Sequence, residues 1–168
     1  HESCAGVLGL RPYLAFLAGS TGARPAPPKA AAPSDWADTL ATMTPPVLDR
    51  PTIERAMQAT MDLEAPLTER LMSGLESMAG IEIVGPSGAG RERVPTVSLR
   101  HSQQRSSEVV AKVHALGVAI RNGHMYSHRL CEALGIDPSE GVIRISAVHY
   151  NTEAEIDRTL EAIQRSIS

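Results

Sequence analysis

Arg144 sits in the middle of GVIRISAV, residues 141–148, between Val142, Ile143 and Ile145. A charged side chain in an apolar strand is costly to bury unless something neutralises it. Two readings of it stand open. In the first, Arg144 lies near the strand end and pairs with a glutamate or a helix terminus of the same chain. In the second, its partner is a ligand. A guanidinium makes a planar, two-pronged match to a carboxylate, so an arginine on a stiff strand suits the α-carboxylate of an amino acid.

Other residues could do chemistry, with less support. His124 and His128 are spaced for one helix face, but zinc needs further ligands and no third is evident, so no metal site is expected. His149 and Tyr150 read as packing or supporting residues. Cys4 and Cys131 form neither a metal nor a disulfide pattern, and Cys131 reads as a small core residue. GPSGAG, residues 85–90, is glycine-rich, but without the lysine and helix start of a phosphate loop it reads as a surface turn. The two lysines are Lys29, within APPKAAAP, and Lys112, on a helical pattern beside an inward Val113. Neither has the desolvated setting of a catalytic amine.

The elements that position these residues follow from periodicity. Val7, Leu10, Leu14 and Leu17 predict a helix over 3–18, with Pro12 kinking or splitting it. Residues 19–35 are rich in Gly, Ala and Pro and read as a linker, and 36–48 hold at most a short helix. Residues 52–79 give the longest helical pattern, with Ile53, Met57 and Met61 on one face, then Leu67, Leu71, Leu75 and Met78. Pro66 is expected to bend or restart that helix, and Gly80 to end it. Strands are predicted at 81–86, 94–101, 118–121 and 141–148. Helices are predicted at 106–116, at 127–134 and after Thr152, where Thr152 and Glu155 make a capping box. The loop 122–127 lies between the third strand and a short helix. The fold class is therefore α/β, an α+β small domain. One small mixed sheet of about four strands is covered by helices. An N-terminal helical segment and a Pro/Ala-rich linker precede it.

The chain has 168 residues, 42% hydrophobic and 21% charged, which is ordinary globular composition. A net charge of −3 and a pI near 6.1 argue against nucleic acid as a partner. No apolar run is long enough to span a bilayer, and no signal-peptide pattern precedes the first helix, so a cytoplasmic, reducing setting is expected. The chain starts His1-Glu2-Ser3, without methionine and already within a helical pattern. The expectation is a piece of a longer protein.

The stretch GVIRISAVHYNTEAEIDRTLEAI, residues 141–163, resembles the C-terminal signature of class V aminotransferases, the cysteine desulfurase-like branch of the fold-type-I pyridoxal-phosphate enzymes. LGVAIRNGHMYSHRLCEALGI, from residue 116, is similar to that family's Val-Arg-x-Gly-His loop. LTERLMSGLESMAGIEIVGP, from residue 67, resembles its helix-then-strand entry into the small domain. HESCAGVLGLRPYL, from residue 1, is similar to the helix after its cofactor-lysine region. The resemblance implies residues 1–18 as a remnant of a large cofactor domain, 19–51 as a linker and 52–168 as the small C-terminal domain.

It also implies roles. Arg144 falls where the family binds the substrate carboxylate, and Arg121 falls on an arginine beside the active-site loop. Gly123 and His124 match that loop. Tyr126 stands where one group of cysteine desulfurases has its sulfur-accepting cysteine. A persulfide needs a thiolate, which tyrosine cannot supply, so a relative that transaminates, eliminates or epimerises is implied instead. The cofactor, pyridoxal 5'-phosphate, would be held by a lysine and an aspartate of a large domain upstream of this chain, so the chain alone is expected to be inactive. The full-length enzyme would be a homodimer acting on an amino-acid substrate. Two other readings remain: a stand-alone amino-acid-binding or interaction module, and a gene fragment with no function of its own.

Overall fold

The computed structural model describes residues 2–19, 48–88 and 93–168. Most of the expected linker, the short helix over 36–48 and Lys29 lie outside them. Contacts divide the chain into two units, His1–Leu63 and Glu64–Ser168. Among the described residues there are five helices and four strands.

The first unit contains α1, Glu2–Gly19, and the start of α2, Arg50–Glu76. Asp49 begins α2 by accepting the Thr52 N–H at 2.9 Å, and hydrogen bonds from the Thr52 hydroxyl and then its backbone hold the carboxyl below the usual range. Pro12 and Pro66 lie inside helices that continue through them, so neither helix is split or restarted. Proline removes one backbone donor, and the turns after Pro66 are held by the buried Leu67, Leu71, Met72 and Leu75. Ile53, Met57 and Met61 form a stripe, yet they remain 39%, 44% and 41% exposed. The side chain of α2 that this unit buries fully is Ala56.

In the second unit the C-terminal part of α2 leads to β1, Ile81–Ile83, and β2, Thr96–His101. Then come α3, Ser106–Ala115; β3, Arg121–Gly123; α4, His128–Ala133; β4, Val142–Ser146; and α5, Glu153–Ile167. The sheet has the expected four strands, in the order β1-β2-β4-β3. Each pairing is antiparallel, and the parallel component is a single bridge between Gly123 and Gly141. Alternation along β2 and β4 sorts side chains to two faces. Val97, Leu99, Ile143 and Ile145 enter a core shared with Leu71, Leu75, Val109, Val113 and Ile163 from the helices. Thr96, Ser98, Arg144 and Ser146 occupy the opposite face. A smaller cluster forms around Cys131, Ile136 and Val142.

All four strands differ from their predicted bounds: β2 and β4 are trimmed at their ends, and the other two change more. The third begins at Arg121, not Val118. Val118 donates back to Val113 at the end of α3, and the Ile120 carbonyl meets His114 Nε2 at 2.6 Å, so ladder pairing starts one residue later. The first strand ends at Ile83. Val84 adds one bond to Ser98, and then Gly85 turns at φ 128 and Pro86 has no N–H to give. The capping box is present: Thr152 Oγ1 accepts from Glu155 N at 3.2 Å, and Glu155 Oε2 accepts from Thr152 N at 2.7 Å. Asn151 adds a turn by accepting the Val148 N–H at 2.9 Å. The Asn-Thr pair after β4 thus ends the strand and starts α5. No described helix is long and apolar enough to cross a membrane.

Candidate functional site

Arg144 is the third of five residues in β4, flanked by Ile143 and Ile145, which are 0% and 4% exposed. Those two anchors fix the strand, and alternation aims the arginine away from the core. Register places Ser98 of β2 on one side of it and Arg121 of β3 on the other. Like charges directly opposite on an antiparallel pair are unfavourable. Among the described residues neither Arg144 nor Arg121 has an ion pair or a side-chain hydrogen bond. Several other arginines of this unit do find carboxylates. Arg70 meets Asp157 and Glu153, Arg100 meets Glu82 at 2.7 Å, and Arg105 meets Glu140. Both unpaired guanidinia line an open depression of about 540 Å³, together with Asn122, Ser146 and His114. Such a surface can accept an anion in two-pronged hydrogen bonds.

The loop after β3 is set by a close backbone crossing. A Cβ on Gly141 would lie 2.0 Å from the Gly123 carbonyl carbon. Met125 and Tyr126 then adopt φ 47 and 63, left-handed values that side chains other than glycine seldom take. Met125 packs against the Cys131 cluster, while Tyr126 is fully exposed. His124 is exposed in the loop, its ring 5.7 Å from that of His128 and edge-on to it. The two histidines do not share a helix, because α4 starts at His128, which lies 3.5 Å from Glu132. No group of three or more His, Cys, Asp or Glu suited to a metal occurs among the described residues.

Of the residues singled out in the sequence, Arg121 and Arg144 come together. Gly123 ends the strand that carries Arg121, and His124 and Tyr126 project from the loop without lining the depression. Ser98 and Ser146 are neighbours that sequence reasoning left unassigned. Their alternation marked the face; register puts Ser98 beside Arg144, and Ser146 follows two residues along the same strand. His149 is half-buried, with its backbone N–H donating to Glu64 Oε1 at 3.1 Å and Nδ1 at 3.6 Å from the same oxygen. Cys131 is buried.

Lys112 Nζ donates to Gln104 Oε1 and to the Ser166 carbonyl, each at 3.0 Å, tying α3 to the last turn of α5. Its ammonium is engaged in structure. The described residues therefore do not fit pyridoxal phosphate as its anchor.

Glu140 holds the approach to β4. Its carboxylate accepts Ser107 Oγ at 2.8 Å and Ser107 N at 3.1 Å, and it pairs with Arg105. The Ser107 hydroxyl, the Ser107 amide and Arg105, in that order, hold it below its ordinary 4.5. Hydrogen bonds from the Ser139 backbone and hydroxyl lower Asp137, and Arg70 lowers Asp157, each from 3.8. A carboxyl depressed by folding stabilises the fold above its unfolded pKa, and that stabilisation is lost as pH falls through the folded value. The urea midpoint should be flat above pH 5 and fall progressively below about 4.5. Glu140→Gln should flatten the upper part of that fall; an identical profile would remove Glu140 from the account.

Residues 53–159 match the family model Aminotransferase class-V. The chain belongs to the class V aminotransferase family. Among curated relatives, an aminotransferase-like protein of Gibberella zeae is 35% identical over 113 residues, 66% of this chain and 28% of that protein. A probable cysteine desulfurase of Synechocystis is 32% identical over 114 residues, 66% of this chain and 26% of the relative. The chain thus spans about a quarter of the length of these class V relatives. The fold is shared with the apo cysteine desulfurase of Thermococcus onnurineus, at a TM-score of 0.58 and 21% identity over 68% of this chain and 28% of that one. It is also shared with the Escherichia coli cysteine desulfurase CsdA, at 0.55 and 16% over 72% and 31%. Class V aminotransferases are pyridoxal-phosphate enzymes.

Proposed function

We propose that residues 52–168 form the small C-terminal domain of a pyridoxal-phosphate enzyme, and that this domain binds the α-carboxylate of an amino-acid substrate through Arg144. In this reading 1–18 belongs to a large cofactor domain, 19–51 joins the two, and the cofactor lysine lies in sequence outside this chain. The full enzyme is a homodimer. The observation that carries the reading is Arg144 itself, unpaired among the described residues, rigidly mounted and open to a depression.

When bound, the cofactor supplies the electron sink for breaking a bond at Cα. This chain's part is positional. Two Arg144 N–H groups donate to the two carboxylate oxygens and fix Cα, Arg121 adds positive charge, and loop 122–127 with Gly123, His124 and Tyr126 shapes side-chain preference. The name of the Synechocystis relative suggests sulfur removal from cysteine, but Tyr126 has no thiol and Cys131 is buried. The chemistry proposed here is transamination, elimination or epimerisation rather than persulfide transfer.

The test is a titration of the chain with L-alanine, followed through arginine Nε–H resonances. The Arg144 signal should shift saturably at millimolar ligand, and Arg144→Gln should abolish binding. An Arg144 signal that never moves, or binding indifferent to Arg144→Gln, overturns the reading.

A further inference from the structure

Arg144 suffices for one carboxylate, yet β3 sets a second guanidinium directly opposite it. Their β-carbons, as cross-strand partners, stand about 5 Å apart. That arrangement is unfavourable when the site is empty, and no described carboxylate relieves it. The acid that leads into β4, Glu140, is already engaged by Ser107 and Arg105. The other polar side chains of the depression cannot supply negative charge. Asn122 is a neutral amide that donates to the Glu140 carbonyl at 3.5 Å, and His114 Nε2 is occupied by Ile120 O at 2.6 Å. A ligand with one negative charge would leave one of the two arginines unneutralised.

We propose that the site selects an amino acid with an acidic side chain, Arg144 taking the α-carboxylate and Arg121 the side-chain anion. This rests on the carboxylate-binding reading of Arg144 and deepens it. Each guanidinium ends a long, flexible stem, so the pair can bracket the two acid groups of a four- or five-carbon dicarboxylate, each in its own two-pronged contact. Arg121 is exposed while Arg144 is half-buried. The outer group can therefore follow a variable side chain while the inner one holds the constant carboxylate.

The experiment is a calorimetric and NMR titration of the chain with L-aspartate, L-glutamate, L-alanine and inorganic sulfate. At least one acidic amino acid should bind ten-fold or more tightly than L-alanine. Arg121→Gln should erase that preference, lowering affinity for the acidic amino acid ten-fold or more and for L-alanine by no more than a few-fold, and Arg144→Gln should abolish all amino-acid binding. Equal affinity for acidic and neutral amino acids, or a preference that survives Arg121→Gln, overturns the inference and leaves the Arg144 reading standing. Sulfate binding as tightly as the dicarboxylates overturns it as well, because the site would then count charge without recognising an amino acid. Amino-acid binding that ignores Arg144→Gln, or no binding at tens of millimolar, takes down the underlying reading too.

Discussion

Gly141→Val is expected to cost the second unit about 4 kcal/mol, at the level where single substitutions become exceptional. Two independent penalties combine. Gly141 has φ +61, and the left-handed region costs an L-residue roughly 1–2 kcal/mol, more for a β-branched one. The new Cβ would also sit 2.0, 2.2 and 2.5 Å from Gly123 C, Gly123 O and His124 N, which are backbone atoms that no rotamer change can move aside. The strands must part, and with them goes the short pairing that sets Arg121 beside Arg144. Gly135 supplies the control. It has a similar φ of +67, but a Cβ added there would meet nothing within 4 Å, so Gly135→Val incurs the backbone penalty alone. Urea denaturation followed by far-ultraviolet circular dichroism should separate the two variants by about 2 kcal/mol. Equal losses would show that the crossing of Gly123 and Gly141 does not hold this edge together.

That crossing illustrates what the sequence withholds. Gly123 reads as a loop glycine and Gly141 as the first residue of a strand, and nothing local says that they touch. Features determined within a few residues were legible. Thr152 and Glu155 form their capping box because a capping box needs only four neighbouring residues. The strand β2 follows from alternation, β4 from an apolar run, and α3 and α5 from helical spacing. Features decided by distant partners were misplaced. The third strand moved because His114 engages the Ile120 carbonyl, and Pro66 left α2 unbroken because later turns of that helix are buried. The stripe of Ile53, Met57 and Met61 was visible as a pattern, but whether a stripe is covered is a tertiary matter. At the candidate site, Arg144 stood out as a charge in an apolar strand. Its neighbours Ser98 and Arg121 depend on register, which a single strand's sequence does not contain.

Ile143→Ala and Arg144→Ala are adjacent substitutions expected to give opposite phenotypes. Ile143 is fully buried at the centre of the sheet, paired in register with Leu99 on one side and Asn122 on the other. Truncating it removes apolar contacts and leaves a cavity that a central strand cannot close, a loss of about 3 kcal/mol. For a unit of about 100 residues that is a fall in Tm of roughly 12–20 °C. Alternation sends Arg144 to the other face, where it faces a like charge. Removing it relieves that repulsion, so Arg144→Ala should leave stability unchanged or raise it by about 0.5 kcal/mol. Ligand binding should reverse the order. In the folded fraction, Ile143→Ala keeps the guanidinium and binds L-alanine within a few-fold of the parent. Arg144→Ala loses a charge-assisted pair worth about 2 kcal/mol, roughly a thirty-fold loss of affinity. Thermal melts and titrations of the same two preparations read both axes. A destabilised Arg144→Ala would mean that the arginine has a structural partner in the folded chain and that its place on the open face is not kept for a ligand. Stability retained together with binding lost is the combination that a residue built for recognition, on a strand built for rigidity, must show.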